Sequence, residues 1–520
     1  MTAISPAESH PVRANFRPQP ILGHALLVAI AADALLRSRP ALGLPIWIGV
    51  LALAAISLAW RTGRVVPVQA AGWLLVALLF SAGFAWRDSE ALRLLDAAVV
   101  LGALGMAALA LSDGRTALFA NRLRDTVWGA GAMMLTIAAG PAPLGLFSAD
   151  HRTGLRNRFG PAARAALIIV AILLVFGSLL RGADPIFASV VALPGIDVDE
   201  VVSHAVFIAF FAWIGAGWAR GAFVADLRKH SAPDQWPISL GLLDITAALG
   251  TLILLFATFV ATQLGWFFGG ERFLRERTGL TAAEYARGGF FQMVWVVFLV
   301  AGVLLGTRGM LRPGSRLARR HTALSLPVVV LLAAIIFSAA MRMRLYVHYY
   351  GLTLDRFDTL VFMGWLGIVL VWLTLTVLRG WGRPFVAGAA LSGLATLALL
   401  HVVSPDVVVA RVNLARAAGP EPGPPLDLVH LASLSGEAAD LVVEATLSPS
   451  SNAPADQRCE AARRLLKRWG PASPLAALQG RAAAWRSWNA GESSALRIVA
   501  GHTAQLQAVC HPPQESIDKP

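Results

Sequence analysis

Residues 323–341 read ALSLPVVVLLAAIIFSAAM, a run of apolar and small side chains without a single charge. An α-helix rises 1.5 Å per residue, so this run forms a helix of about 28 Å, close to the hydrocarbon thickness of a bilayer. Comparable apolar runs lie at 20–36, 41–60, 66–86, 91–111, 161–180, 202–222, 237–265, 290–307, 357–378 and 384–402. The sequence therefore predicts an all-α fold, a polytopic transmembrane helix bundle of about eleven spans.

The composition indicates the same class. Of the 520 residues, 56% are hydrophobic and 14% are charged, against roughly 45–50% and about 25% in ordinary soluble domains. A single soluble core stops growing at about 250–300 residues, so this apolar excess requires lipid as its solvent. The composition excludes a soluble enzyme, a collagen, a coiled coil and a disordered scaffold.

The segment 126–147 is a twelfth apolar run with a different character. Pro141 and Pro143 lie in its second half, together with several glycines. Proline removes a backbone donor, and a broken helical hydrogen-bond ladder is costly in lipid. We therefore expect this segment to be interfacial or re-entrant.

Positive charge predicts the orientation, because cytoplasmic loops of membrane proteins collect Lys and Arg. Within residues 1–402, eleven spans with a cytoplasmic N-terminus place 21 Lys and Arg in inner segments and 12 in outer segments. The predicted parts are a cytoplasmic tail (1–19), a transmembrane domain (20–402) and an extracytoplasmic helical domain (403–520). The net charge of +13 is thus interpreted as topology, and no nucleic-acid partner is predicted.

Ionisable side chains inside the spans are the first candidate site, since a charge at mid-helix costs about 2.5–3.5 kcal/mol on insertion scales. They are His24, Asp33, Asp96 and Asp244. Asp96 follows Arg93 by three residues, a spacing that allows an ion pair on one helix. Asp244 lies well inside its apolar run and is the favoured proton- or ion-coupling group, with a structural hydrogen bond to a neighbouring helix as the alternative.

A second group of candidates lies in the predicted outer loops. Its members are Asp184, Glu271, Arg272, Glu284, Tyr285, Arg287, Tyr350, Asp355 and Arg356. Two of these loops share a Gly-Leu-Thr motif, at 279–281 and 351–353. Thr281 with Glu284 has the spacing of a capping box, and Thr353 is expected to cap the next helix with Asp355 in its first turn. Helix starts are favoured over reactive sites in both loops.

Two further outer-loop features have structural interpretations as well. Gly269 and Gly270, before Glu271, are interpreted as a span end that turns at the interface, although a glycine pair could also let backbone approach a ligand. Asp184 opens the most acidic outer loop, which is interpreted as solvated because it lacks the ligand spacing of a calcium-binding loop.

The segment 403–520 predicts a small all-α domain. Helical apolar spacing occurs at 405–418, 426–434, 436–447, 456–469, 474–489 and 492–510. Trp485 and Trp488 are expected in its core, and its exposed edge is a candidate surface for an envelope protein partner. Cys459 and Cys510 could form a disulfide on the oxidising side of the membrane, but their spacing alone does not establish one.

Motifs for metals, cofactors and nucleophiles are missing from the sequence. There is no Cys-x-x-Cys, His-Glu-x-x-His, Gly-x-Ser-x-Gly or Walker loop. The sequence accordingly predicts no cofactor, no metal ligands and no catalytic residues.

An ordered set of motifs resembles a known group of proteins. The set comprises ADPIF at 183–187, FGG at 268–270, GLT at 279–281 followed by EYARGGFF at 284–291, and YGLT at 350–353. NLAR at 413–416 and WRSWN at 485–489 extend it. Across about residues 160–490 the chain resembles bacterial membrane proteins of domain of unknown function 4173, with the related group 4153. The resemblance implies a bacterial inner-membrane location and supplies no catalytic residue.

Three functions remain open on this basis. A transport or channel-like component fits many spans with a buried carboxylate. The alternative is a non-enzymatic envelope sensory or assembly protein whose outer domain binds a partner. The third is a membrane enzyme acting on lipid-linked substrates, with Glu271, Glu284 or Asp355 as acid or base. The enzyme is the least favoured, because each carboxylate has a structural interpretation.

Overall fold

The computed structural model describes residues 19–37, 39–113, 123–141, 198–225, 241–278, 290–311, 315–380, 384–419, 426–449, 453–479 and 484–510. Regular structure in these ranges is entirely helical. The membrane part contains α1 (Gln19–Leu36), α2 (Gly43–Arg61), α3 (Val68–Trp86), α4 (Glu90–Asp113), α5 (Leu123–Ala139), α6 (Val198–Phe223), α7 (Leu242–Thr278), α8 (Phe290–Gly309), α9 (Arg316–Tyr350), α10 (Leu354–Leu373) and α11 (Pro384–Val403).

Nine of these helices, within the described ranges, are long and apolar enough to cross a bilayer: α1–α4, α6, α7 and α9–α11. They confirm the predicted all-α polytopic bundle. The predicted span 290–307 coincides with α8, whose side chains are described from Trp295 onward. The predicted span 161–180 lies outside the described residues. A π-helical turn at Thr374–Leu378 continues α10 to the end of its span.

The described part of the twelfth apolar run lies in α5 and the residues just after it, and α5 ends where the sequence suggests that a helix should. Gly140 follows Ala139 with φ of +54°, and Pro141 comes next. Arg220 of α6 donates to the carbonyl oxygens of Thr136 and Gly140 at 2.7 and 3.0 Å, which adds a side-chain donor to the carbonyl groups at the helix end. Whether 126–147 is interfacial or re-entrant stays a prediction.

The predicted turn at Gly269 and Gly270 is wrong. Helix α7 runs without interruption from Leu242 to Thr278, so the backbone of both glycines is helical. Glycine in a helix costs only about 1 kcal/mol relative to alanine, which the other residues of a helix this long can offset. Glu271 and Arg272 therefore belong to a helix and not to a loop, while their side chains lie outside the described residues.

The chain divides into two compact units. The first comprises the described residues of Met1–Leu79, Val100–Arg115 and Trp128–Ser231. In it α1 packs against α2 and α6, and the Trp47 and Trp218 indoles donate to the carbonyl oxygens of Val28 and Leu104. The second comprises the described residues of Phe80–Val99, Thr116–Val127 and Ala232–Pro520.

The second unit contains the C-terminal helical domain. Its elements are α12 (Pro405–Ala417), α13 (Leu428–Leu431), a 3₁₀ turn (Gly436–Ala438), α14 (Ala439–Leu447), α15 (Ala455–Trp469), α16 (Pro474–Gln479), a second 3₁₀ turn (Ala484–Ser487), α17 (Ala490–Gly501) and α18 (Thr503–Ala508). Val409, Leu428, Leu465 and Trp469 are among the side chains of one apolar core. A disulfide joins Cys459 to Cys510.

Two connections between membrane helices in the second unit contact this domain. At the α9–α10 connection, Asn413 accepts from the N–H of Leu352 at 3.0 Å and donates to its carbonyl at 2.6 Å. Gly351 has φ of +77° there, and a Cβ on it would lie 2.7 Å from Asn413 Oδ1, so only glycine fits. The second is the α3–α4 connection, around which the candidate site is built.

Candidate functional site

An aspartate and a histidine from two membrane helices meet inside the second unit. Asp96 of α4 is 0% exposed and His401 of α11 is 5% exposed. Asp96 Oδ2 lies 3.1 Å from His401 Nε2, and His401 Nδ1 lies 2.9 Å from the carbonyl oxygen of Leu397. The apolar side chains of Leu92, Leu397 and Leu400 pack in a cluster from the same turns of α4 and α11.

The hydrogen-bond pattern fixes how many protons this pair holds. A carbonyl oxygen only accepts, so Nδ1 of His401 carries a proton and donates to Leu397. The contact between Nε2 and Asp96 then requires a second proton, which is on the imidazole as an ion pair or on the carboxyl as a neutral pair. In either case the pair binds one proton between two membrane helices.

A third helix contacts the pair through a glycine. A Cβ on Gly83 of α3 would lie 2.7 Å from His401 Nε2 and closer still to Asp96 Oδ2. Real Cβ atoms do not approach other atoms so closely, so α3 can lie against the pair only because residue 83 has no side chain. The three helices α3, α4 and α11 thus converge on one buried proton.

A set of charged side chains lies beside the pair, between the α3–α4 connection and the C-terminal domain. This loop cluster consists of Arg87, Asp88, Arg93, Glu437, Arg468 and Glu492. Asp88, 5% exposed, lies at its centre: its carboxylate is 3.4 Å from the Arg93 guanidinium and 3.3 Å from that of Arg468. It also accepts from the N–H of Gly436 at 3.1 Å.

Further contacts join the loop cluster together and connect it to the buried pair. The N–H of Asp88 donates to Glu437 at 2.6 Å. Arg93 reaches Glu492 at 3.2 Å, and Arg87 donates to the carbonyl oxygen of His401. Because Arg87 contacts the backbone of His401 itself, the loop cluster and the buried pair are connected.

Asn489 connects α17 to the end of α3. Its amide donates to the carbonyl oxygens of Phe84 and Arg87 at 2.8 and 2.9 Å. Its oxygen accepts from the N–H of Glu492 at 2.9 Å as the N-cap of α17. One buried side chain therefore satisfies orphan groups at a helix C-terminus and at a helix N-terminus.

Burial is the largest influence on the pKa values of Glu437 and Arg87 in the loop cluster. It raises the pKa of Glu437; hydrogen bonds from the Ser435 hydroxyl and the Asp88 N–H act in the opposite direction, and the Asp406 and Asp88 carboxylates add to the increase. Burial also lowers the pKa of Arg87, while Glu437 and Asp406 raise it. The cluster thus holds one carboxyl group that takes up a proton more readily than usual.

Glu437→Gln is expected to flatten the dependence of stability on pH. With its pKa raised in the folded protein, Glu437 contributes stability that is complete below its ordinary pKa of 4.5 and is lost as pH rises through the folded pKa. Thermal unfolding in detergent from about pH 4 to about pH 8 measures this loss. Glu444→Gln, at an exposed position of α14, is the control. A gap between wild type and Glu437→Gln that stays constant with pH would contradict the assignment.

The first unit has an aspartate–histidine contact of its own. Asp33 of α1 lies 2.6 Å from His204 Nδ1 of α6 and 3.5 Å from Arg37, but the His204 side chain is partly exposed, at 42%. His24, another predicted candidate, lies 3.1 Å from the hydroxyl of Ser57 on α2 and 2.7 Å from the carbonyl oxygen of Pro20. Its contacts link α1 to α2.

Asp244 does not occupy the mid-span position that its apolar run predicts. Helix α7 begins at Leu242, so Asp244 lies in its first turn, exposed, and accepts from the N–H of Gly241 at 2.7 Å. A carboxylate there is stabilised by the free N–H groups of the helix start. Its position explains the charge without a coupling role.

The outer-loop candidates have mixed outcomes. Asp184, Glu284, Tyr285 and Arg287 lie outside the described residues. Thr353 is the N-cap residue of α10 but makes no side-chain capping bond, so the predicted cap is wrong in that detail. Asp355 is exposed in the first turn of α10, as its charge suggests.

Arg356 and Tyr350 lie at the same connection. The Arg356 guanidinium is 4.1 Å from the centre of the Tyr346 ring and 6.0 Å from that of Tyr350. It also donates to the carbonyl oxygen of Gly351. These contacts stabilise the α9–α10 connection.

Most of the site is not evident from the sequence. Asp96 is a candidate, but its expected partner Arg93 binds Asp88 and Glu492 instead. His401 could have been found, because it is an ionisable residue within the predicted span 384–402. Asp88 carries no such signal.

Within the described part of the chain, no group of three His, Cys, Asp or Glu side chains could hold a metal ion.

These features define a class: a polytopic α-helical membrane protein with a buried aspartate–histidine pair beside an attached helical domain. The family model for Domain of unknown function (DUF4153) matches residues 74–445, more than half of the chain, and the chain belongs to that family. The match is to 4153, the related group of the resemblance, and not to 4173. No curated protein and no solved structure matches the chain.

Proposed function

We propose that this protein is a proton-coupled membrane transport component, with Asp96 and His401 as the coupling pair. The observation that carries the proposal is the 3.1 Å contact between two buried ionisable side chains of different membrane helices, Asp96 and His401. Ionisable groups within membrane spans are costly and commonly mark ion or proton pathways. We assign the Asp96–His401 pair to such a proton pathway.

The coupling follows from what proton loss would do. Without the shared proton, an ionised Asp96 would face the lone pair of His401 Nε2 in a buried site, and the two groups would repel each other. The pair would then separate or admit water. Because its members belong to α4 and α11, proton release would favour a different packing of these helices, and a substrate pathway could open with it.

Asp96→Asn is expected to abolish proton-coupled transport while preserving the fold. Asparagine can donate its amide to His401 Nε2 as a protonated carboxyl would, but it cannot release a proton. Reconstituted protein on a solid-supported membrane, exposed to a pH step with a panel of sugars, amino acids, organic acids and metal cations, reports charge movement directly. We expect wild type to respond to at least one solute class and Asp96→Asn to none.

Asp355→Asn, which neutralises an exposed carboxylate, is the matched control and should behave as wild type. An undiminished pH-dependent current in Asp96→Asn would rule out the pair as the coupling site. Silence of the wild type across the whole panel would contradict transport and favour the second function.

The second function is an envelope sensory or assembly protein. It is favoured by one observation, the hydrogen bond from Arg87 to the carbonyl oxygen of His401. Through it, a partner that displaced the C-terminal domain would disturb the buried pair. Nothing comparable favours an enzyme on lipid-linked substrates. Among its three candidate carboxylates, the one whose side chain is described, Asp355, is an exposed helix-start residue.

We further propose a bacterial inner-membrane location with the N-terminus in the cytoplasm and the C-terminal domain outside. The 21-to-12 distribution of Lys and Arg between the inner and outer segments of residues 1–402 supports this orientation. So does the disulfide between Cys459 and Cys510, since such bonds persist in oxidising compartments. The α3–α4 and α9–α10 connections, both predicted to be outside, contact the same domain.

A reporter fused after Pro520 is expected to be active only outside the cytoplasm. Alkaline phosphatase requires an oxidising compartment for its disulfides and should be active there, while green fluorescent protein exported at the same site should be dark. The two fusions report in opposite directions, so each is the control of the other. A fluorescent cell with inactive phosphatase would reverse the proposed orientation.

A further inference from the structure

Beyond α12, whose Val412 is 40% exposed, the exposed large apolar side chains of the C-terminal domain gather in one segment. Among the described residues of 426–510, the large apolar side chains exposed by more than a third are Leu478 at 37%, Trp485 at 47% and Trp488 at 44%. The short elements that carry the first two, α16 and the second 3₁₀ turn, contain no fully buried residue. The expectation that Trp485 and Trp488 form core is therefore wrong. We call Leu478, Trp485 and Trp488 the tryptophan patch.

The chain fixes where the tryptophan patch lies. Trp488 precedes Asn489, whose amide donates to the carbonyl oxygens of Phe84 and Arg87 at 2.8 and 2.9 Å. Phe84 belongs to the last turn of α3, a helix long enough to span the membrane. Trp86, the last residue of that helix, is itself half exposed. Trp488 of the tryptophan patch is therefore one residue away from Asn489, which contacts the end of membrane helix α3.

The chemistry of the tryptophan patch matches that position. Indole combines an apolar ring with one N–H donor and is enriched at the boundary between headgroups and hydrocarbon. The guanidinium of Arg486 lies 5.7 Å from the centre of the Trp485 ring, and that of Arg87 lies 4.5 Å from the Trp86 ring. The Trp485–Arg486 pair places an aromatic ring beside a cation, which suits the phosphates of anionic lipids.

We propose that the tryptophan patch binds the lipid headgroup layer beside α3, so that the C-terminal domain is attached to the bilayer surface as well as to the membrane helices. The occupant is lipid and not a protein partner, because the patch is continuous with a membrane-helix end. This inference does not depend on the transport proposal. The side chains of the tryptophan patch lie outside the core of the domain, and we assign them a membrane-binding role.

Spin labels at single cysteines test the proposal. The two native cysteines are bonded to each other, so Trp485→Cys, Trp488→Cys or Leu478→Cys introduces the only free thiol. The control is Glu444→Cys, at an exposed position in the second half of α14, past the turn at Gly436 that contacts the α3–α4 connection. Each protein is placed in nanodiscs of phosphatidylethanolamine and phosphatidylglycerol. Collision of the label with oxygen, which concentrates in lipid, is compared with collision with a water-soluble nickel chelate.

We expect the ratio of oxygen to nickel accessibility at positions 485 and 488 to exceed that at position 444 several-fold. A ratio equal to that of the control would place the tryptophan patch in water and overturn the proposal. Protection from both reagents would mean that protein covers it, which would overturn the proposal in favour of a partner. If one tryptophan variant fails to fold, as judged by thermal unfolding, the other and Leu478→Cys give the same information.

Discussion

Asp88→Ala is expected to lower the free energy of unfolding by about 3 kcal/mol and to release the C-terminal domain from the α3–α4 connection. The substitution leaves the guanidinium groups of Arg93 and Arg468 and the buried N–H of Gly436 without this partner. Removing one member of a buried charge network costs about 3–5 kcal/mol, and the lower value applies because the Arg468 side chain is partly exposed. Arg468 also keeps the carbonyl oxygens of Ser433 and Leu434 as acceptors.

Thermal unfolding in detergent measures the loss, and limited trypsin digestion tests for release of the domain. Asp88→Asn separates the contribution of the charge from that of the hydrogen bond, because asparagine can still accept from the N–H of Gly436 but carries no charge. The stability of Asp88→Asn should lie between those of wild type and Asp88→Ala. Asp355→Ala, at an exposed carboxylate, should change stability little. An Asp88→Ala protein with wild-type stability and unchanged digestion would mean that the loop cluster does not attach the domain.

The parts of the fold that follow from burial in lipid could be predicted from the sequence. Runs such as 323–341 and 384–402 are predicted to be helical, because a single chain segment in hydrocarbon satisfies its backbone hydrogen bonds only as a helix, unless it is part of a closed barrel. Helices α9 and α11 include these two runs. Helix ends are harder to place. Asp244 lies inside an apolar run, yet the helix begins at Leu242, because hydropathy alone does not fix where the hydrogen-bond ladder starts.

The site could be predicted only in part, because its contacts join distant parts of the chain. The sequence identifies Asp96 as a charge within a span, which is costly in lipid. Local spacing predicts Arg93 as its partner, but the partner is His401, which is 305 residues away in the chain. Asp88 lies in a short polar connection, where charged residues are ordinary. Its importance comes from Arg468 and Gly436, which folding of the C-terminal domain brings to it.

Gly83→Ala is expected to lower the free energy of unfolding by about 1–3 kcal/mol, the usual cost of overpacking, and to disrupt the proton-binding pair. The new methyl group would lie 2.7 Å from His401 Nε2 and closer to Asp96 Oδ2, so α3 must move or the two side chains must separate. Either change removes the geometry in which they share a proton. Thermal unfolding measures the first effect, and the solid-supported membrane current measures the second.

Gly72→Ala is a control in the same helix, because a Cβ at position 72 would meet no atom within 4 Å. Alanine is the better helix former by about 1 kcal/mol, so this variant should be as stable as wild type or slightly more stable. The contrast between the two substitutions isolates the contact with the pair from the change in helix propensity. If Gly83→Ala and Gly72→Ala behave alike in stability and in current, α3 does not pack closely against Asp96 and His401, and the pair would have to function with two helices instead of three.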